Sequence, residues 1–155
     1  MAITVLTIAV GGIFNLMQRT LALAIANQNS MTAYYLAQEG LEIVRNVRDN
    51  NWLLRDNNPD VAWDSGLEEG DHEADYGQLT LLSPSGQNLC IDEGGFYGYG
   101  NCPKDTVFKR TITISKEIVD EVTIALHVTV EVAWQERGVA RSAKATEYLY
   151  NWYQI

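Results

Sequence analysis

The first 38 residues carry one charged side chain, Arg19, and the opening run MAITVLTIAVGGIFNLM at 1–17 carries none. Only Thr4, Thr7 and Asn15 break its apolar character, and it continues through Leu21, Leu23 and Ile25 with alanines between them. A helix apolar on every side does not suit the surface of a water-soluble domain; it calls for lipid or other apolar helices around it. A bilayer core takes about 20 predominantly apolar residues as helix, so residues 1–26 stand at the lower edge of a membrane span.

Three accounts of this segment are open. A cleaved secretory signal would fit Ala24 and Ala26 as an A-x-A site before Asn27, but such signals place a positive charge ahead of the apolar block, and Arg19 lies behind it. An inert membrane anchor fits on length and polarity. The third account joins the apolar segment to the residues after it in one helix. No proline occurs before Pro59, and Ala33, Leu36, Ala37, Gly40, Ile43, Val44 and Val47 recur at helical spacing. Between them lie Glu39, Glu42, Arg45 and Asp49, with Arg45 and Asp49 placed to pair at i, i+4. One helix is therefore predicted over 1–48, about 72 Å long. Its half at 1–26 is apolar all round, and its half at 27–48 is amphipathic.

An apolar helix running into an amphipathic one, then a variable loop and an antiparallel sheet, resembles type IV pilins and the pseudopilins of type II secretion. The run YLAQEGLEIVRNVRDNNW at 35–52 is similar to prepilin-type minor pilins. So is the ending VTVEVAW at 128–134 with EYLYNW at 147–152. The resemblance covers both ends of the chain and hardly touches the middle. It implies an α+β, pilin-like fold, a long N-terminal helix packed on an antiparallel sheet. It also implies a filament core formed by Ile3, Val5, Leu6, Ile8, Val10, Gly11, Gly12, Ile13, Phe14, Leu16 and Met17. The partners it implies are copies of this chain or other pilins, the membrane before assembly, and the pilus assembly machinery. The family's leader peptide and the Glu at its fifth mature position have no counterpart here, where Val5 stands. Two accounts are open: leader, cleavage site and Glu lie upstream of Met1, which is the expectation, or the chain lacks the Glu and departs from the family in processing and assembly register.

Residues 49–75 hold nine acids against Arg55 alone, within a chain of net charge −9. With Asn, Pro and Gly throughout, 49–76 reads as an acidic connecting loop, anchored by Trp52 and Trp63. Asp56, Asp60 and Asp64 are the candidate ligands for a calcium ion, but the spacing of an EF-hand loop is absent and a solvated acidic face is the competing reading. The same charge argues against general nucleic-acid binding, which needs clustered Lys and Arg. No cofactor is expected.

The sheet-bearing part is predicted over 77–155. Strands are expected at 78–82 and 87–91 around a turn at 83–86, then at 106–115, 121–134 and 139–152, with a turn at 135–138. Val122, Ile124, Leu126, Val128, Val130, Val132 and Trp134 share one face at period two, and the stripe from Ala33 to Val47 is its natural cover, with Gly40 permitting close approach. Cys90 and Cys102 lack C-x-x-C spacing, and His72 and His127 are the only histidines, so a metal site is poorly supplied. A disulfide is the better reading, closing a loop of about a dozen residues and adding roughly 3 kcal/mol; a free buried pair is the alternative. Gly94 to Gly100 lacks the strand, helix and Lys of a phosphate loop. Its Phe96, Tyr97 and Tyr99 either pack locally or form a contact surface for a subunit, glycan or ligand. His127 falls on the polar sheet face without a catalytic partner motif, and the chain is expected not to be an enzyme. Two functions compete: a structural subunit of an extracellular pilus-like filament, and a membrane-anchored extracellular binding module that does not polymerise.

Overall fold

The computed structural model describes residues 2–78 and 80–152. One helix, α1, spans Ala2–Arg55, and the chain divides into two compact units, Met1–Thr32 and Ala33–Ile155. The first unit is helix alone. In the second, residues 33–55 of α1 lie on a five-stranded antiparallel sheet of order β2-β1-β6-β7-β8, and a small three-stranded sheet has the order β4-β3-β5. Its strands are β1 Gly70–Ala74, β2 Leu81–Leu82, β3 Cys90–Ile91, β4 Tyr97–Gly98, β5 Lys104–Asp105, β6 Lys109–Val119, β7 Val122–Glu136 and β8 Val139–Tyr150. The fold is α+β, a long N-terminal helix on an antiparallel sheet.

The core forms where two periodicities meet. Ala33, Leu36, Ala37, Ile43, Val44 and Val47 are buried along one stripe of the helix. They face Ile112 and Ile114 of β6, Leu126, Val128, Val130 and Val132 of β7, and Ala143 and Leu149 of β8 within one apolar cluster. Gly40 sits at the closest approach: a Cβ there would lie 2.8 Å from Val130 Cγ1 and 3.3 Å from Arg110 Cδ. Gly40→Ala is therefore expected to destabilise this unit, because overpacking a core costs about 1–3 kcal/mol and outweighs the ~1 kcal/mol of helix propensity gained. At Gly11 and Gly12, where a Cβ would meet nothing within 4 Å among the described residues, the same change should leave only the propensity gain. Denaturation of the three single variants, followed by far-ultraviolet circular dichroism, checks the contrast.

The helix extends past residue 48 to Arg55, correcting the predicted boundary. Asp49, Asn50 and Asn51 are weak helix formers, but Asn51 is buried and its amide donates to the carbonyls of Trp63 at 3.1 Å and Ser65 at 2.7 Å. Trp52 is also buried, with the Arg48 guanidinium 4.5 Å from its ring centroid. Arg45 and Asp49 do not pair. Arg45 bonds Glu42 on its own helix and reaches Glu147 of β8 at 2.6 Å, while Asp49 takes Arg48 at 2.8 Å.

The acidic segment also departs from a plain loop, since β1 lies between β2 and β6. Asp71 accepts from the Thr113 hydroxyl at 2.7 Å. The buried Glu73 takes the Ser85 hydroxyl at 2.7 Å and the Gly86 amide at 2.9 Å. The strands expected around 83–86 do not form a hairpin: β2 pairs with β1, and β3 pairs with β4 and β5. The turn foreseen over 135–138 narrows to Arg137 and Gly138, and a second one forms at Asp120 and Glu121. On β7 the apolar face is covered from Leu126 onward, but Val122 and Ile124 are 57% and 40% exposed. The register shifts beyond Glu117, and β8 reaches only as far as Ala125.

Candidate assembly and contact surfaces

In the first unit the apolar side chains point outward on every side. Ile3 is 80% exposed, Ile13 67% and Leu23 65%, and Leu6, Val10, Phe14, Leu16, Met17, Leu21 and Ile25 are comparably open. Of the predicted filament-core residues, the side chains of Val5 and Ile8 lie outside the described residues; Gly11 and Gly12 are exposed with the rest. The hydroxyls of Thr7 and Thr20 donate to the carbonyls of Ile3 at 2.7 Å and Leu16 at 3.0 Å, so these groups are satisfied within the helix and place no demand on a neighbour. Gly11, Gly12, Asn15, Leu16 and Arg19 line a shallow groove of about 490 Å³. Among the described residues, no helix is long and apolar enough to cross a membrane.

In the second unit Cys90 and Cys102 form a disulfide, with their Cα atoms 5.7 Å apart. Asp92 organises the loop it closes. Its carboxylate accepts from the Phe96 amide at 2.9 Å and the Tyr76 hydroxyl at 2.8 Å. These bonds, the amide first, hold the Asp92 carboxyl below the usual carboxylate range and push the Tyr76 phenol up. Tyr76 stacks on Phe96 with ring centroids 4.6 Å apart, and both rings are about half exposed.

The three predicted contact aromatics thus separate. Of the three, Phe96 alone is exposed, and Tyr97 and Tyr99 are half-buried against the core. Tyr97 packs edge-on to Phe108, and Tyr99 turns into the core, donating to the Arg110 carbonyl at 3.2 Å. Tyr76, the exposed partner of Phe96, was not foreseen, because only the fold brings residues 76 and 96 together. Burial, above all, pushes the Tyr99 phenol up to about 12. Its ordinary value is 10.0, so the folded state favours the neutral form. The associated stability is complete below about pH 10 and is lost as pH rises toward 12. A phenolate absorbance titration should show one tyrosine ionising last, and Tyr99→Phe should remove that step.

Asp56, Asp60 and Asp64 are not brought together. Asp64 pairs with Lys116 at 2.7 Å, and among the described residues no three Asp, Glu, His or Cys side chains form a group able to hold a metal. His127 lies against Tyr148 with ring centroids 4.6 Å apart, on the outer face of the sheet. Arg110 is a residue whose importance sequence reasoning missed. It is fully buried, and its guanidinium donates to Glu39 at 2.9 Å, the Ala74 carbonyl at 2.7 Å and the Leu36 carbonyl at 3.3 Å. The available signal was an arginine in phase with Ile112 and Ile114 on an apolar strand face.

Compared with known proteins, the chain matches no protein-family model, no curated protein and no solved structure.

Proposed function

We propose that this chain is a structural subunit of an extracellular, type IV pilus-like filament, assembled through residues 1–26 of its helix. The observation that carries the reading is the ring of outward-facing apolar side chains from Ile3 to Ile25, broken by Arg19 as the single charge. So much apolar surface is stable only when covered, and neighbouring copies of the same segment provide a cover as apolar as lipid. The groove at Gly11 and Gly12 supports close packing, since small residues let helix backbones approach. In this reading the subunit waits in the membrane with the assembly machinery, and the sheet-bearing unit becomes the filament's outer surface. The exposed Tyr76–Phe96 pair favours the second reading, an anchored binding module, because aromatic rings contribute interface energy at low entropy cost.

The test is electron microscopy of material sheared from the cell surface, with intact mass and N-terminal sequencing of the chain in that fraction. Filaments containing this chain with its apolar segment retained are the expected result. Finding it only in membranes, or in solution beginning at Asn27, would overturn the assembly reading.

A further inference from the structure

The β6–β7 hairpin turns on two carboxylates, and beside its other end lie Lys109 of β6 and Arg141 of β8. Its turn, Asp120–Glu121, exposes two carboxylates that make no ion pair among the described residues. Both residues have positive φ, 49° and 66°, the two-residue turn in which the second position favours glycine. The neighbouring β7–β8 hairpin places Gly138 there, whereas this one holds Glu121, whose Cβ crowds the backbone in that conformation. Ile118, Val119 and Val122 flank the turn as exposed apolar shoulders.

At the far end of the same strands lies an open depression of about 480 Å³. Its lining includes Asn88, Val107, Lys109, Trp134, Gln135 and Arg141. Neither Lys109 nor Arg141 has an ion-pair partner among the described residues, and no carboxylate lines the depression. Val107 is exposed and supplies an apolar wall. The buried Trp134 indole N–H has no hydrogen-bond partner among the described residues. In a chain of net charge −9, two unneutralised cations in one concavity mark a place for carboxylates. The chain's own hairpin turn offers two of them, with apolar flanks to match Val107.

We propose that the Lys109–Arg141 depression receives the Asp120–Glu121 turn of a second copy of this chain. Donor and acceptor stand at opposite ends of β6, whose 11 residues extend about 35 Å, so one copy does not satisfy itself. A head-to-tail contact of this kind leaves a free turn and a free depression at the ends and adds copies in a row. It goes beyond the helix packing proposed above and extends that reading to the outer surface. Exposed charge pairs contribute little each, so the contact is weak and short-lived in solution, and covalent capture at high chain concentration is the way to read it.

The test uses the full chain in detergent with Val10→Arg, which suppresses helix-driven assembly, and a photo-crosslinking residue in place of Val119. The expected products are intermolecular crosslinks to peptides containing Lys109 or Arg141. Their yield should fall about tenfold, the equivalent of 1.4 kcal/mol, with either Asp120→Lys/Glu121→Lys or Lys109→Glu/Arg141→Glu, and return when the two reversed chains are mixed. Glu121→Gly should lower the yield while raising the hairpin's stability, which a purely structural role would not produce. Crosslinks that map elsewhere, that ignore charge reversal, or that fail to form would overturn the proposal. The crosslink is read on the chain in detergent, so its result stands apart from whether the helix assembles.

Discussion

Arg110→Ala is expected to destabilise the sheet-bearing unit by about 2–5 kcal/mol, the range for truncating a large buried side chain to alanine, with the loss of its charged hydrogen bonds. Arg110 is fully buried, and its guanidinium holds the helix to the sheet through Glu39 and the Leu36 carbonyl, and to β1 through the Ala74 carbonyl. Truncation withdraws the one donor that these three acceptors share and opens a cavity beneath Gly40. Arg110→Lys should recover part of the loss, since an ammonium keeps the charge but lacks the planar fork that reaches several acceptors. Glu39→Gln should cost less than Arg110→Ala, because both carbonyl acceptors remain. All four tryptophans, Trp52, Trp63, Trp134 and Trp152, lie in this unit, so their emission during urea denaturation reports its stability alone. Equal midpoints for Arg110→Ala and the unaltered chain would show that Arg110 does not hold these elements together.

The second large effect is on assembly. Val10→Arg and Gly11→Leu are each expected to abolish filaments while leaving the tryptophan-reported stability within about 0.5 kcal/mol, the range of surface substitutions. Val10 is exposed and nothing stands within 4 Å of a Cβ on Gly11, so the lone subunit accommodates both changes. In a core of packed helices, an unpaired guanidinium costs several kcal/mol in every copy. A leucine at position 11 would hold the backbones apart where small residues let them approach. Electron microscopy of the sheared fraction, with the chain assayed in membranes, reads both variants. Filaments that survive both substitutions would sink the assembly reading and favour an anchor, which needs only apolar length.

The parts of this fold that could be read in advance are those governed by short-range periodicity. Ala33 to Val47 recur at the helical period and are buried as a stripe; Leu126 to Trp134 alternate at period two and are buried on one face. The disulfide was legible because the chain has only two cysteines and no other chemistry suited their spacing. The missed features depend on partners distant in sequence. β1 was hidden because Asp71 and Glu73 look like solvated acids until Thr113, Ser85 and Gly86 are placed beside them. The candidate contact surface was half legible: an aromatic loop could be seen, but not that Tyr97 and Tyr99 turn inward while Phe96 finds Tyr76. The basic depression was not legible, since Asn88, Lys109 and Arg141 come from three separate segments.

The sequence by itself determined that residues 2–17 form a helix apolar on every side, because only Thr4, Thr7 and Asn15 are present there to face water at any angle of its turn. It also determined that a helical stripe must cover a strand face, because each periodicity leaves one apolar side in need of burial. Only the tertiary structure decided that the helix ends at Arg55, that an arginine lies at the centre of the core, and that the acidic stretch contributes a strand. Those outcomes turn on hydrogen bonds between groups many residues apart. A polar group's tolerance of burial depends on whether partners meet it there, and that is a property of the assembled fold.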